Sequence, residues 1–276
     1  MVQFNRDVVL AILYESETRL TARAYIQQIA AGLSISFIQA KKILKSLVND
    51  QELAYQDLYG ATYVAQNFLK PVRVTDHFFL KPSNRESLAG PNDLDILIDP
   101  GISFGSGHHP TTRLCLEAID TAFLKTPEIS FPKKSMGADI GTGSGVLAIA
   151  LCRAGIECCK AWEIDPNAVN EARKNVAENH LAHRVTVIED YMPVCDSQFS
   201  IICANLRFPT LKQLSGLIRT SLCPKGIIIL SGIRQWEKEE LIAHYTKLGF
   251  TLVWQMDEKN WSGLIMQKDT IINLPE

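Results

Sequence analysis

Asp139-Ile140-Gly141-Thr142-Gly143-Ser144-Gly145 links an apolar run to Val146-Leu147-Ala148-Ile149-Ala150, whose composition reads as a helix. The order is strand, glycine-rich turn, helix. Glycines accept positive φ and let backbone approach a ligand where a Cβ would clash. The helix start that follows offers free N–H groups. One strand further on, Ala161-Trp162-Glu163-Ile164-Asp165-Pro166 places acidic groups at the end of an apolar run. A carboxylate at that position can take both hydroxyls of a ribose. The pattern predicts a nucleoside cofactor, against the alternative of a tight strand–helix turn with no ligand.

Charge indicates which cofactor. Dinucleotide sites use G-x-G-x-x-G and seat a pyrophosphate on the helix N-terminus. Here the spacing is G-x-G-x-G, and Asp139 stands two residues before the first glycine. A carboxylate repels a diphosphate and attracts the ammonium of a methionine moiety. S-adenosyl-L-methionine is therefore expected in preference to NAD.

Outward from this turn, strands and helices alternate. Strands are expected at 136–140, 158–163, 184–188, 199–204, 226–231, 250–256 and 263–268, and helices at 145–154, 167–179, 208–221 and 236–248. Alternation predicts an α/β fold, a parallel sheet wrapped by helices. Only a short turn near Asp257 to Ser262 separates the last two strands, which requires an antiparallel hairpin. Asp139 to Gly145, Glu163, Asp190 and Asn205 all fall at carboxyl ends of strands, where such sheets bind ligands.

Residues 1–66 follow another pattern. Three helices are expected, around Val8 to Leu13, from Leu20-Thr21 to Gly32, and from Ser34 or Ser36 through Val48. Two β-like runs, Glu52 to Gln56 and Ala61 to Ala65, flank Asp57-Leu58-Tyr59-Gly60. This resembles a winged helix-turn-helix domain with the third helix as recognition helix. Lys41, Lys42 and Lys45 share that helix's polar face and could contact nucleic-acid phosphate, or simply be solvated. Seven Lys+Arg stand against six Asp+Glu up to residue 70, a weak excess for a nucleic-acid module. Residues 67–110 read as a connector and cofactor-covering loop, and 111–276 as the cofactor-binding domain.

The whole chain of 276 residues carries a net charge of −2, with 46% hydrophobic and 21% charged residues. These values fit a globular protein. No signal pattern opens the sequence, and no apolar run approaches bilayer-spanning length, so no membrane association is expected. The seven cysteines lack C-x-x-C spacing, which argues against zinc, and their odd number suits a reducing cytoplasm. The vicinal Cys158-Cys159 pair reads as strand packing rather than redox chemistry.

One stretch is more specific still. Asp99-Pro100-Gly101 through Phe104-Gly105-Ser106-Gly107-His108-His109-Pro110-Thr111-Thr112 resembles the signature loop of the PrmA family, which methylates ribosomal protein L eleven. Asp139 to Ala150, Glu163 to Val169, Ala204-Asn205-Leu206 and Trp261 to Lys268 are similar to it as well. The likeness covers about Pro71 to Lys268. It implies a seven-stranded, Rossmann-like class I methyltransferase sheet with an antiparallel last strand. It implies that Asp139, Gly141, Thr142 and Gly143 line the methionine end of the cofactor, that Glu163 with Ile164 takes the ribose, and that Glu189 or Asp190 approaches the adenine. Phe104, Gly105, Thr111 and Thr112 would close over the methionine part, and Asn205 would face the methyl group.

The chain departs from the family pattern at His108-His109-Pro110, where T-H-P is usual, and at Leu206-Arg207-Phe208 after the asparagine. The family's usual N-terminal domain is not recognisable. The expected activity is methyl transfer to amine groups of a protein, possible acceptors including a ribosomal protein. The alternatives are a nucleic-acid-associated methyltransferase, a transcriptional regulator that senses S-adenosylmethionine, and a small-molecule methyltransferase. Asn205 would orient the amine. His108 could receive its proton or merely bond the loop, and His109 is expected to bond the loop backbone.

Overall fold

A computed structural model describes residues 4–270 except 17, 59, 68, 87–89, 91, 99–104, 106, 108, 126–130, 133 and 197. The chain divides into two compact units, Met1–Lys70 and Pro71–Glu276.

In the first unit each helix begins where a side chain can take its free N–H groups. Asn5 Oδ1 accepts from Asp7 and Val8 at the start of α1 (Arg6–Tyr14). Thr21 Oγ1 accepts from Ala24 at the start of α2 (Ala22–Gly32). Between the two expected caps of α3 (Phe37–Asn49), the structure selects Ser36, in a reciprocal capping box with Gln39. The strands β1 (Leu53–Leu58) and β2 (Ala61–Gln66) form an antiparallel hairpin, and Thr21 bridges to Tyr63 beside it. Ala40, Ile43, Leu44 and Leu47 put one face of α3 into this unit's core. The opposite face leaves Lys41, Lys42 and Lys45 exposed.

The second unit opens with a small sheet of β3 (Val72–Arg73), β4 (Phe78–Lys81) and β5 (Leu94–Leu97), followed by α4 (Pro110–Asp120). Then come β6 (Met136–Ile140), α5 (Val146–Ala154), β7 (Cys158–Glu163), α6 (Pro166–Glu178), β8 (Val185–Glu189), β9 (Phe199–Asn205), α7 (Phe208–Ser221), β10 (Leu222–Arg234), α8 (Lys238–Lys247), β11 (Phe250–Glu258) and β12 (Trp261–Lys268). Seven strands form one sheet in the order β11-β12-β10-β9-β6-β7-β8. The last strand is antiparallel to both its neighbours. This is the methyltransferase-type sheet expected from the sequence. Ile201 to Ala204 and Ile227 to Leu230 are fully buried, as central strands covered on both faces require.

Two local features position the site. Chain order reverses between β6 and β9, so a crevice opens at their carboxyl ends. Lys259 and Asn260, both at positive φ, make the two-residue turn that pairs Glu258 with Trp261 and returns β12 to the same rim. The strand β10 is longer than the expected 226–231. It already pairs at Leu222 with Phe199, and it runs on beyond Ser231 to pair Arg234 with Trp261. Among the described residues, no helix is long and apolar enough to cross a membrane.

Candidate active site

The glycine turn is held as the sequence requires. Gly141, Gly143 and Gly145 take φ of +70°, +55° and +83°. The N–H groups of Gly141 and Thr142 both donate to Trp162 O, at 2.9 and 3.0 Å, which ties the turn to the end of β7. Asp139 is buried, and its Oδ2 accepts from Thr142 Oγ1 at 2.5 Å and from Ala148 N at 3.2 Å. This carboxylate therefore caps α5 from the preceding strand, where Gly145 has no side chain to do so. Burial pushes the Asp139 carboxyl up to about 7, against the lowering effect of those two bonds.

Glu163 sits on the next strand end. Its Oε2 accepts from Gly143 N at 3.0 Å, and its Oε1 accepts from Ile164 N and Asp165 N at 2.8 and 3.1 Å. Asp165 caps α6 through Asn167 N. Glu189 is Glu163's partner across the β7–β8 register. The next residue, Asp190, accepts from Tyr191 N on an exposed loop, and Ile164 is exposed beside the same strand ends.

The signature loop meets the turn from the other side. A Cβ on Gly105, at φ +110°, would come within 2.5 Å of Ser144 Oγ. His109 caps α4: its Nδ1 accepts from Thr111 N at 3.3 Å and pairs with Thr111 Oγ1 at 2.8 Å. That is the loop-bonding role expected of it. Thr111 and Thr112 are fully buried in the first turn. Arg113 ties this region down, reaching Gly107 O at 3.0 Å and the carboxylate of Glu258 at the β11–β12 turn. The expectations for Phe104 and His108 fall outside the described residues.

Asn205 ends β9 and pairs with Ser231 of β10. Leu206 N donates to Ser231 O at 3.1 Å, and a Cβ on Gly232 would lie 2.3 Å from Leu206 O. The backbone after Asn205 is thus pressed against a glycine at φ +86°, which holds the strand end from which the amide projects. Gly141 meets the same residue, since a Cβ there would lie 2.7 Å from a Leu206 methyl group.

The residues fit a polar, cation-bearing cofactor. Among the described residues, four buried oxygens at these strand ends and the loop that meets them have no hydrogen-bond partner: Asp139 Oδ1, Ser144 Oγ, Thr112 Oγ1 and Asn205 Oδ1. Buried polar atoms are rarely left so. Ser144 belongs to the quoted turn but carried no expected role. Arg113, Arg234 and Trp236 were not foreseen either, because nothing in their local spacing marks them. Arg113 projects from α4 to Glu258 of β11, and Arg234 and Trp236 stand at and just beyond the end of β10, so contacts distant in sequence bring them to the rim.

Known proteins place this geometry. The profile of the family described as Ribosomal protein L11 methyltransferase (PrmA) matches residues 5–269. It therefore extends through the N-terminal unit, beyond the likeness that begins near Pro71. A ribosomal protein L11 methyltransferase of Carboxydothermus hydrogenoformans is 33% identical over 255 residues, covering 91% of this chain and 80% of its own. Another, of Geotalea uraniireducens, is 33% identical over 203 residues, and the match spans 72% of this chain and 64% of the relative's length. The crystal structure of a ribosomal protein L11 methylase from Lactobacillus delbrueckii subsp. bulgaricus superposes with a TM-score of 0.62 at 25% identity, over 72% of this chain and 99% of that one. A profile running nearly end to end, and a relative aligned over 91% of the sequence, lead to one conclusion: the chain belongs to the PrmA family of S-adenosylmethionine-dependent methyltransferases.

Proposed function

We propose that the chain transfers methyl groups to amines of a protein, with ribosomal protein L11 as the acceptor to test first. The observation that carries this reading is Asn205, whose Oδ1 is buried and unpartnered at the end of β9. When bound, S-adenosylmethionine supplies an activated methyl group. The protein's part is to bind, orient and exclude water.

In this reading Gly141, Thr142 and Gly143 seat the methionine end, with Asp139 Oδ1 and Thr112 Oγ1 beside it. Glu163 takes the ribose: its three backbone bonds leave one lone pair on Oε2 for a hydroxyl, and yielding the bond from Gly143 N frees a second. Ile164 and Asp190 border the adenine. Gly105 closes the loop onto Ser144, and Thr111 holds that loop through His109. Asn205 Oδ1 accepts one N–H of the incoming amine, so the lone pair faces the methyl group. The held strand end supports that placement in advance. His108 is the candidate to receive the amine's proton, since an imidazole titrates near neutral pH. None of the seven cysteines is in a disulfide, which suits the reducing cytoplasm in which a ribosomal acceptor is made.

The test uses purified protein and tritiated S-adenosylmethionine with a lysate, split into untreated, nuclease-treated and protease-treated samples. A labelled band that resists nuclease and is lost to protease is expected. Label lost to nuclease would overturn the protein acceptor.

A second reading concerns the N-terminal unit. Lys41, Lys42 and Lys45 are exposed and form no ion pair with other described residues, and α3 itself contains no acidic residue. If this is a winged-helix module, that face would meet phosphate. Filter binding to duplex and single-stranded nucleic acid at low and high salt tests it, since binding through phosphate weakens steeply with salt.

A further inference from the structure

The rim of the main sheet carries a second assembly that meets the cofactor half only at His109. His109, the cap of α4, meets Trp261 edge-on with ring centroids 4.8 Å apart. Arg234 pairs with Trp261 across β10 and β12 and lays its guanidinium 3.7 Å from that ring's centroid. The same guanidinium lies 5.6 Å from the centroid of Trp236. Trp236 is 74% exposed. The stack therefore starts beside Thr111 and Thr112 and ends in solvent.

Its distance from Asn205 follows from the register. Ser231 pairs with Asn205, and Arg234 lies three residues further along β10. At about 3.3 Å per residue, less where Gly232 breaks the register, this is at most roughly 10 Å beyond the proposed amine site. A polypeptide whose amine reaches Asn205 would have its neighbouring residues over this ledge.

Single exposed apolar side chains are ordinary. Trp236 differs in two respects. The Arg234 guanidinium lies over one face of its ring, and the Arg234 backbone N–H donates to Glu237 Oε2 at 2.7 Å. Carboxylates also stand near it in the chain: Glu237, adjacent to it, accepts from Arg234 N, and Glu239, three residues on, is exposed with no ion pair among the described residues. An exposed indole face near carboxylates attracts a cation.

We infer that Trp236 is a specificity-determining residue that holds a lysine or arginine side chain of the acceptor polypeptide while the target amine sits at Asn205. This rests on the reading of the chain as a protein methyltransferase.

The experiment measures steady-state methyl transfer from S-adenosylmethionine to purified ribosomal protein L11 by the wild type, Trp236→Ala and Trp236→Phe. A lost cation–π contact should raise the acceptor KM of Trp236→Ala roughly five- to tenfold, with kcat and the cofactor KM within about twofold of wild type. Trp236→Phe should recover most of the loss. An unchanged acceptor KM in Trp236→Ala overturns the inference. In parallel, tryptophan emission is titrated with pentalysine and with an oligouridylate. A pentalysine response that Trp236→Ala abolishes supports the assignment. A response to the oligouridylate alone overturns it. If the wild type fails to methylate L11 while the pentalysine response persists, the acceptor is wrong and the assignment of Trp236 stands, so the two readings fail separately.

Discussion

The carboxyl ends of β6 and β10 lie on one rim and are built in opposite ways. At β6 the site is made of backbone. Three glycines at positive φ turn the chain, Asp139 caps the helix that follows, and Glu163 is bonded to three N–H groups. At β10 the rim is made of side chains from distant parts of the sequence: His109, Arg234, Trp236 and Trp261. A cofactor common to many methyltransferases can be held by a chain path that changes little. An acceptor that differs from one enzyme to another calls for side chains that can change without altering that path.

The comparison predicts where substitutions act. The largest effect concerns Asp139 in the cofactor half. Its carboxyl is held up at about 7 by burial in the fold. In the unfolded chain it returns to roughly 3.9. The folded state then binds the proton more tightly, so this group's contribution to stability is complete below about pH 4 and declines as pH rises to 7. The decline amounts to at most roughly 4 kcal/mol. Urea unfolding of the cofactor-free protein across that range, compared with Asp139→Asn, isolates it. The variant should lose this component of the slope. Identical slopes in the two proteins would mean that Asp139 is not the buried acid described.

Next comes the junction between the two halves. Gly232→Ala would drive a Cβ into Leu206 O at φ +86°, whereas Gly155, at φ +126°, has nothing within 4 Å. Gly232→Ala should cost about 3 kcal/mol or more, and Gly155→Ala about 1–2 kcal/mol from backbone strain alone. Thermal unfolding of both separates packing from conformation. Equal losses would show that Leu206 yields easily and that the Asn205 backbone is not held as described.

A smaller effect is expected at Glu163. In the proposed reading Glu163→Ala removes the acceptor for the ribose, and it should weaken cofactor affinity roughly tenfold or more. Calorimetry with S-adenosylmethionine reads it directly, and unchanged affinity would take Glu163 out of the site.

These two constructions also determine what the sequence makes legible. The sheet, its antiparallel last strand and the glycine turn follow from local pattern, because each depends on residues close in the chain. Ser36 could not be separated from Ser34 as a cap until the backbone showed Ser34 at φ +52°. The length of β10 was hidden by Pro224-Lys225-Gly226, which reads as a turn, and by Gly232. The cap that Asp139 places on α5 was hidden because its partner Ala148 stands nine residues away, across the turn. The rim of Arg234, Trp236 and Trp261 depends on register between β10, β11 and β12, and Arg113 joins it from α4 through Glu258, which no single segment encodes. The resemblance to the PrmA family supplied the remainder of the expected site from its motifs.

The most direct test of a cofactor half and an acceptor half meeting at Asn205 is one pair of measurements on Asn205→Ala: S-adenosylmethionine affinity by calorimetry and methyl transfer to ribosomal protein L11. Loss of a preorganised polar contact to the reacting group should lower turnover by roughly 100-fold or more while cofactor affinity stays within about threefold. If affinity and turnover fall together, Asn205 belongs to the cofactor half and the division described here is wrong.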